Sequence, residues 1–202
     1  MTIAAIVLAA GAGSRFGGGK LLATIDGRSL IAHVVDAART AGLAPIVVIT
    51  PPGGELDGLD LGGIRRVVNP TPAEGLSSSV RLGLRELELE DAVEAAVILP
   101  ADQPRVRPAV IARLIAAADE SPHTPFVVPR YSADGAPNPI LARRSIWRLA
   151  DELAGDRGFG PVLGVHPELV RFVAVDGANP DVDTPEDLRR LTEPGAGRTD
   201  VS

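Results

Sequence analysis

The chain has 202 residues, 45% of them hydrophobic, which is enough to bury one well-packed domain. Its net charge of −6 argues against a general nucleic-acid surface, and the absence of cysteine excludes disulfides, thiolate metal sites and cysteine nucleophiles. The apolar stretch at residues 2–8 lacks a basic flank and is too short to cross a membrane, so we expect a cytoplasmic protein with no nucleic-acid or membrane partner. We expect a single domain over residues 1–191 and a disordered tail over residues 192–202.

Strand-like and helix-like segments alternate along the chain. Runs of Val, Ile, Leu and Ala predict strands over residues 3–9, 45–50, 64–68, 95–100, 125–128 and 169–175. Apolar residues at helical spacing predict helices after Ser29, from about Ser77, over residues 109–118 and over residues 185–191. Continuously apolar strands between helices favour an α/β fold of Rossmann-like three-layer type, with a mostly parallel central sheet covered on both faces. In such sheets ligands bind beyond the carboxyl ends of the strands.

The first predicted strand runs into a glycine-rich loop that ends on Lys20, the only lysine of the chain. Apart from Lys20, the 20 lysine and arginine residues are all arginine. The guanidinium of arginine is planar and forked, whereas the ammonium of lysine is a compact point charge. A lysine retained at this place indicates a phosphate oxygen that needs a single donor in a confined space. Small residues at 9–13 would let the backbone N–H groups approach the phosphates, and Arg15 supplies a second cation.

Two familiar phosphate-loop motifs do not fit this loop. A dinucleotide fingerprint would need its last glycine one residue before Gly17, and no strand with a suitably placed acidic end follows. A Walker A loop would need glycine at position 14 and serine or threonine at position 21, where Ser14 and Leu21 stand. The interpretation that remains is a long loop carrying Arg15 and Lys20 over a nucleoside triphosphate.

Two aspartates are candidate metal ligands. Asp102 follows a predicted strand and precedes Gln-Pro, so its carboxylate should emerge at the carboxyl end of the sheet, although a turn residue would have the same setting. Asp183 precedes Thr184-Pro185, where it could also simply cap a helix. Mg²⁺ favours one or two protein carboxylates together with phosphate oxygens and water. Two aspartates and a triphosphate provide that set.

Three consecutive serines, Ser77, Ser78 and Ser79, stand at the start of a predicted helix. One of them could be the helix N-cap. Hydroxyls at a helix N-terminus would equally suit the base or ribose of a nucleotide. The residues alone leave both interpretations open.

Five motifs together resemble the MobA-like nucleotidyltransferases, and within them the molybdenum cofactor cytidylyltransferases. The resemblance extends from about residue 3 to residue 191 and implies the fold of the nucleotide-diphospho-sugar transferases. The motifs are Leu8-Ala9-Ala10-Gly11-x-Gly13-x-Arg15-x-Gly17-x-x-Lys20, Asn69 with Glu74-Gly75-Leu76-Ser77-Ser78-Ser79-Val80-Arg81-x-Gly83, Leu99-Pro100-Ala101-Asp102-Gln103-Pro104, Gly155-Asp156-Arg157-Gly158, and Asp181-Val182-Asp183-Thr184-Pro185-Glu186-Asp187-Leu188.

The resemblance implies a Mg²⁺-dependent enzyme that moves CMP from CTP to the phosphate of a molybdopterin-type cofactor and releases pyrophosphate. It also implies transient contact with a molybdoenzyme or its chaperone. Its catalytic residues would be Arg15, Lys20 and Asp102, with Asp102 and Asp183 on the metal. The acceptor would contact Asp156 and Arg157. The nucleotide would contact Leu8, Ala9, Ala10, Gly11, Ala12, Gly13, Lys20, Asn69, Ser78 and Ser79.

The predictions of the base and of the acceptor depend on particular residues. Ala9-Ala10-Gly11 is typical of the cytidylyltransferase branch, whereas the guanylyltransferase branch carries Gly-Gly at the last two positions. Ala136 stands where family members usually carry the histidine of a Gly-His-Pro segment. A guanylyltransferase, a sugar- or polyol-phosphate nucleotidyltransferase and a non-catalytic nucleotide-binding module are the alternatives.

Overall fold

A seven-stranded sheet forms the centre of the molecule. The computed structural model describes residues 1–11, 13–133 and 136–193, so residues 194–202, and with them most of the predicted tail, lie outside the described residues. The strands of the sheet are β1 (Thr2–Leu8), β4 (Ile46–Thr50), β5 (Arg65–Val68), β6 (Val93–Pro100), β7 (Phe126–Tyr131), β8 (Ile140–Arg143) and β9 (Val170–Val175). They lie side by side in the order β5-β4-β1-β6-β8-β7-β9. A separate hairpin joins β2 (Thr24–Ile25) to β3 (Arg28–Ser29).

Helices cover both faces of the sheet. The α-helices are α1 (Leu30–Thr40), α2 (Leu76–Glu88), α3 (Pro108–Glu120), α4 (Gly160–Val165) and α5 (Pro185–Thr192), and the 3₁₀ segments are Lys20–Leu22, Pro72–Glu74, Arg144–Glu152, Gly155–Arg157 and Pro167–Leu169. None of the helices in the described part of the chain is long and apolar enough to cross a membrane. Residues 51–63, which connect β4 to β5, contain neither helix nor strand.

Alternation along β1 explains why its sequence is apolar throughout. Ala5 and Val7 belong to the core cluster that α1 and α3 complete, whereas Ala4 and Ile6 belong to the cluster on the α2 side. At Gly83 of α2, a Cβ would lie 2.6 Å from Cγ2 of Ile6, so this glycine allows the helix to approach the strand closely. A strand buried on both faces is the pattern of a parallel α/β sheet.

Parallel pairing sets the direction of most strands. β1 pairs in parallel with β4 and β6, β4 with β5, and β7 with β9. β8 is antiparallel to β6 and β7 and was not among the predicted strands. The predicted fold class is thus confirmed. The carboxyl ends of β1 and β6 lie side by side, because the N–H of Ala101 donates to the carbonyl of Leu8 over 3.0 Å.

Candidate active site

Lys20, Asp102 and Asp183 meet at the carboxyl edge of the sheet. The ammonium Nζ lies 2.7 Å from Oδ2 of Asp102 and 3.5 Å from Oδ1 of Asp183. Arg15 reaches the other oxygen of Asp183, with Nη2 3.0 Å from Oδ2. The Lys20 side chain is 12% exposed and that of Arg15 is 73% exposed, so the lysine lies inside the cluster and the arginine at its rim.

Each member of this cluster is held by its own local structure. Asp102 lies just beyond Pro100, the last residue of β6, in the turn that leaves the strand. Lys20 begins a 3₁₀ turn whose Leu21 and Leu22 pack against the core. The N–H of Val182, itself buried against Ile25 and Leu30, donates to the carbonyl of Asp102 over 2.9 Å and so brings the neighbouring Asp183 to the same edge.

The N-terminus of α5 fixes the backbone at Asp183. Thr184 and Asp187 form a capping box in which the Asp187 carboxylate accepts the Thr184 N–H over 2.8 Å. The same carboxylate oxygen accepts the N–H of Asp183 over 3.2 Å. The hydroxyl of Thr184 also donates to this carboxylate, and its bond contributes most to lowering the pKa of Asp187. The two backbone N–H groups lower the pKa further, because all three bonds stabilise the charged form. The cap therefore stays ionised near neutral pH.

The glycine-rich loop needs glycine at several positions. Gly13, Gly17, Gly18 and Gly19 all have positive φ, between 55° and 99°, which other residues adopt only with strain. The loop is also held from outside, because the N–H of Gly19 donates to Oε1 of Glu55 over 2.8 Å. The residues alone gave no signal for this role of Glu55. Ala12, one of the predicted nucleotide contacts, lies outside the described residues.

A cleft of two joined cavities opens at this edge. The central cavity, about 490 Å³, is lined by Arg15, Lys20, Asp102, Asp183 and Ser79 among others. The adjoining cavity, about 400 Å³, is lined mainly by small and apolar residues of the glycine-rich loop and of the connection after β4. The residues that it shares with the first cavity are Ala10, Gly11, Gly13, Lys20, Pro72 and Ala73. Leu8 is buried beneath the loop, and Ala9 and Ala10 line the second cavity. Cavities of this size and polarity accommodate small-molecule ligands.

Asn69 and Ser78, two of the predicted nucleotide contacts, do not line either cavity. The buried Asn69 amide donates to the hydroxyls of Ser78 and Ser79 over 2.8 and 3.0 Å and accepts the N–H of Thr71 over 2.9 Å. No serine side chain caps α2, since Gly75 occupies the N-cap position. Asn69 and Ser78 thus hold the connection between β5 and α2 at Thr71. Ser79 lines the central cavity.

The segment containing Asp156 and Arg157 turns its two side chains into different cavities. Asp156 lines the central cavity, and its Oδ1 accepts the N–H of Leu76 at the start of α2 over 3.3 Å. Arg157 instead lines a separate cavity of about 430 Å³, together with Leu153 and Val162. Asp156 has non-helical backbone angles inside this short turn. The structure therefore separates Arg157 from the cluster of Lys20, Asp102 and Asp183.

The donor set at the cluster suits a divalent cation. Asp102 and Asp183 present hard carboxylate oxygens that together hold one ammonium, and a Mg²⁺ ion prefers one or two such carboxylates. A third carboxyl, Asp181, lies nearby. Desolvation raises the pKa of Asp181, the hydrogen bond from Gln103 opposes the rise, and the neighbouring charges of Asp102 and Asp183 add to it.

The fold and this cleft define an α/β protein of the nucleotide-diphospho-sugar transferase type, with its site at the carboxyl ends of β1 and β6. The family described as MobA-like NTP transferase domain matches residues 5–170, and the chain belongs to that family. The predicted resemblance is thereby confirmed at the level of the family.

Relatives and solved structures agree with this assignment. The chain is 32% identical over 177 residues to a phosphoenolpyruvate guanylyltransferase of Rubrobacter xylanophilus, covering 82% of the chain and 79% of the relative. It is 34% identical over 157 residues to a bifunctional enzyme IspD/IspF of Novosphingobium aromaticivorans, covering 73% of the chain but only 40% of that relative. The crystal structure of Rv0371c from Mycobacterium tuberculosis superposes with a TM-score of 0.81 at 30% identity, over 95% of this chain and 97% of the other.

Proposed function

We propose that the protein is a nucleotidyltransferase that joins a nucleoside monophosphate to the phosphate of an acceptor. The observation that carries the proposal is the Lys20 ammonium held between Asp102 and Asp183 at the end of a glycine-rich loop. The acceptor phosphate attacks the α-phosphorus of the triphosphate, the bond from that phosphorus to the bridging oxygen breaks, and pyrophosphate leaves. Family membership and the bifunctional and guanylyltransferase relatives support this reaction class.

Catalysis in this scheme consists of positioning and charge neutralisation. An acceptor phosphate is already ionised near neutral pH, so the protein needs no side-chain nucleophile or general base. Lys20 donates to a phosphate oxygen from inside the cleft, and Arg15 does so from its rim. Loop N–H groups face the triphosphate. Asp102 and Asp183 would hold Mg²⁺, which supplies positive charge to the phosphate oxygens when bound.

The base we propose is cytosine, because Ala9-Ala10-Gly11 follows the cytidylyltransferase pattern. These residues lie at the wall between the two cavities, where Ala9 and Ala10 leave room for a base against the backbone. The triphosphate would extend from there to Lys20 in the central cavity.

The acceptor we propose is the phosphate of a molybdopterin-type cofactor, which would be passed on to a molybdoenzyme or its chaperone. Asp156 is the predicted acceptor residue that lines the central cavity, so it is the candidate contact. The guanylyltransferase relative, which matches 82% of the chain, supports a second candidate, guanylyl transfer to a small phosphorylated acid.

Product analysis tests the proposal. The protein is incubated with Mg²⁺, each of CTP, GTP, ATP and UTP, and one of three acceptors: the molybdopterin-type cofactor, phosphoenolpyruvate or a sugar phosphate. We expect pyrophosphate and a cytidylylated cofactor, and no product from the Asp102→Asn variant. A guanylylated product would overturn the base, product with another acceptor would overturn the acceptor, and absence of pyrophosphate in every combination would overturn the reaction class.

A further inference from the structure

Gln103 follows the metal-ligand candidate Asp102 but does not line the cleft. It is 1% exposed, and both ends of its amide are used inside the protein. Its Nε2 donates to Oδ1 of Asp181 over 2.6 Å, and its Oε1 accepts from Nδ2 of Asn179 over 2.9 Å. Asn179 is equally buried, and its Oδ1 has no hydrogen-bond partner among the described residues. The Asn179 amide is thus oriented so that its NH₂ group donates to Gln103, while its oxygen forms no hydrogen bond within the described part of the chain.

These two bonds hold the segment that carries Asp183. Residues 176–184, between β9 and α5, form no helix or strand, so their position depends on tethers rather than on a backbone ladder. Within this segment, Gln103 binds Asn179 and Asp181, and the N–H of Val182 donates to the carbonyl of Asp102. The residue pair 102–103 therefore anchors the chain at Asn179, Asp181 and Val182, and Val182 directly precedes Asp183.

The polarity of this network allows few residues at position 103. A carboxylate such as Asp181 only accepts hydrogen bonds, and the Asn179 NH₂ only donates them. The side chain between them must donate at one end and accept at the other, which glutamine does. A glutamate would place a carboxylate against Asp181, and a methionine would remove both of these bonds.

We propose that Gln103 is a positioning residue that sets the placement of Asp183 relative to Asp102 and so determines how tightly the site binds a divalent cation. This inference rests on the proposed function for the identity of the metal ligands. Groups that orient ligands from behind in this way change metal affinity by about 10- to 100-fold when they are altered.

A swap of the two interacting groups tests the inference. The variants are Gln103→Glu, Asp181→Asn and the double variant, and the readout is Mn²⁺ binding in the presence of CTP, measured by electron paramagnetic resonance. We expect Gln103→Glu to weaken Mn²⁺ binding by about tenfold or more, because two carboxylates then face each other. Asp181→Asn keeps an acceptor oxygen for Gln103 and should change binding by less than about threefold.

The double variant restores the hydrogen bond with its direction reversed. The introduced amide at 181 donates to the introduced carboxylate at 103, which still accepts from Asn179. Mn²⁺ binding should return to within about threefold of the wild type. Among the variants, turnover at saturating metal should change less than the metal concentration that gives half-maximal turnover. A packing role alone would give no such rescue.

Three outcomes would overturn the inference. They are Gln103→Glu binding Mn²⁺ as the wild type does, a folded double variant no better than Gln103→Glu, and a wild type that fails to bind Mn²⁺ with CTP. Only the last also contradicts the proposed function. If Gln103→Glu does not fold, Asp181→Ala removes the acceptor from the exposed side of the bond and must itself weaken Mn²⁺ binding by about tenfold.

Discussion

Lys20 and Asp102 form a salt bridge of 2.7 Å between residues that enter the site from two neighbouring parallel strands. Lys20 closes the loop that follows β1, and Asp102 follows β6. Asp183 lies 3.5 Å from the same ammonium, so the lysine occupies a place that suits a cation between two carboxylates. We infer that binding of a metal–nucleotide complex moves Lys20 from the carboxylates to the phosphate oxygens.

Lys20→Arg should reduce turnover by about tenfold or more although the charge is kept. The side chain is 12% exposed between two carboxylates, and a planar guanidinium cannot take the place of a compact ammonium there. Arg15→Lys is the matched control, because Arg15 is at the exposed rim, and its effect should stay below about fivefold. Steady-state pyrophosphate release measures both. Turnover of Lys20→Arg within about twofold of the wild type would show that only charge matters at this position.

Glu55→Ala should weaken CTP binding by about fivefold, which corresponds to ~1 kcal/mol for one hydrogen bond at an exposed site. The carboxylate holds the N–H of Gly19 and so restricts the glycine-rich loop. Glu55→Gln keeps an acceptor for this N–H and should bind CTP as the wild type does. Calorimetric titration with CTP and Mg²⁺ compares them. Tighter binding by Glu55→Ala would instead mean that the carboxylate repels the triphosphate.

Gly75→Ala should disturb both the fold and the side of the cleft that we propose for the acceptor. A Cβ at this position would lie 2.5 Å from Oδ1 of Asp156 and 2.5 Å from the carbonyl carbon of Gly155, and the φ of 88° is unfavourable for alanine. We expect a loss of about 1–3 kcal/mol in the free energy of unfolding. The KM for the acceptor should rise more than that for CTP, since Asp156 is displaced.

Gly164→Ala is the control for this substitution, because a Cβ at Gly164 would meet nothing within 4 Å. Its free energy of unfolding should stay within about 0.5 kcal/mol of the wild type. Chemical denaturation monitored by circular dichroism gives both values. Equal free energies of unfolding for the two variants would mean that the segment around Asp156 shifts to accommodate the Cβ without a loss of stability.

Much of the fold could be predicted because both faces of the parallel strands are buried. Polar residues in β1, β4 and β6 stand only near the strand ends, so residues 3–8, 46–49 and 95–99 are continuously apolar, and this pattern has few other interpretations. β8 escaped prediction because it has only four residues and follows Pro139, which disfavours a strand in the middle of a sheet. The β2–β3 hairpin has two residues in each strand, too few for alternation to be visible.

The candidate site could be predicted only as far as strand ends determine it. Asp102 lies just past the end of β6, and the loop that carries Lys20 leaves the neighbouring parallel strand β1, so both were expected at the same edge of the sheet. Asn69 also follows a strand, but whether its amide points to the cleft or to the interior depends on partners that a linear pattern does not show. The direction of Arg157 depends on the backbone angles of one turn. The network of Gln103 joins residues more than 70 positions apart.

The fate of the oxygen that bridges the α- and β-phosphates of CTP tests the central claim most directly. CTP labelled with ¹⁸O at that position is incubated with the protein, Mg²⁺ and the phosphorylated acceptor, and the products are separated and weighed by mass spectrometry. Attack of the acceptor on the α-phosphorus predicts that all of the label leaves in pyrophosphate, while the cytidylylated acceptor carries none. Label retained in CMP, or triphosphate left unconsumed with every acceptor supplied, would contradict nucleotidyl transfer.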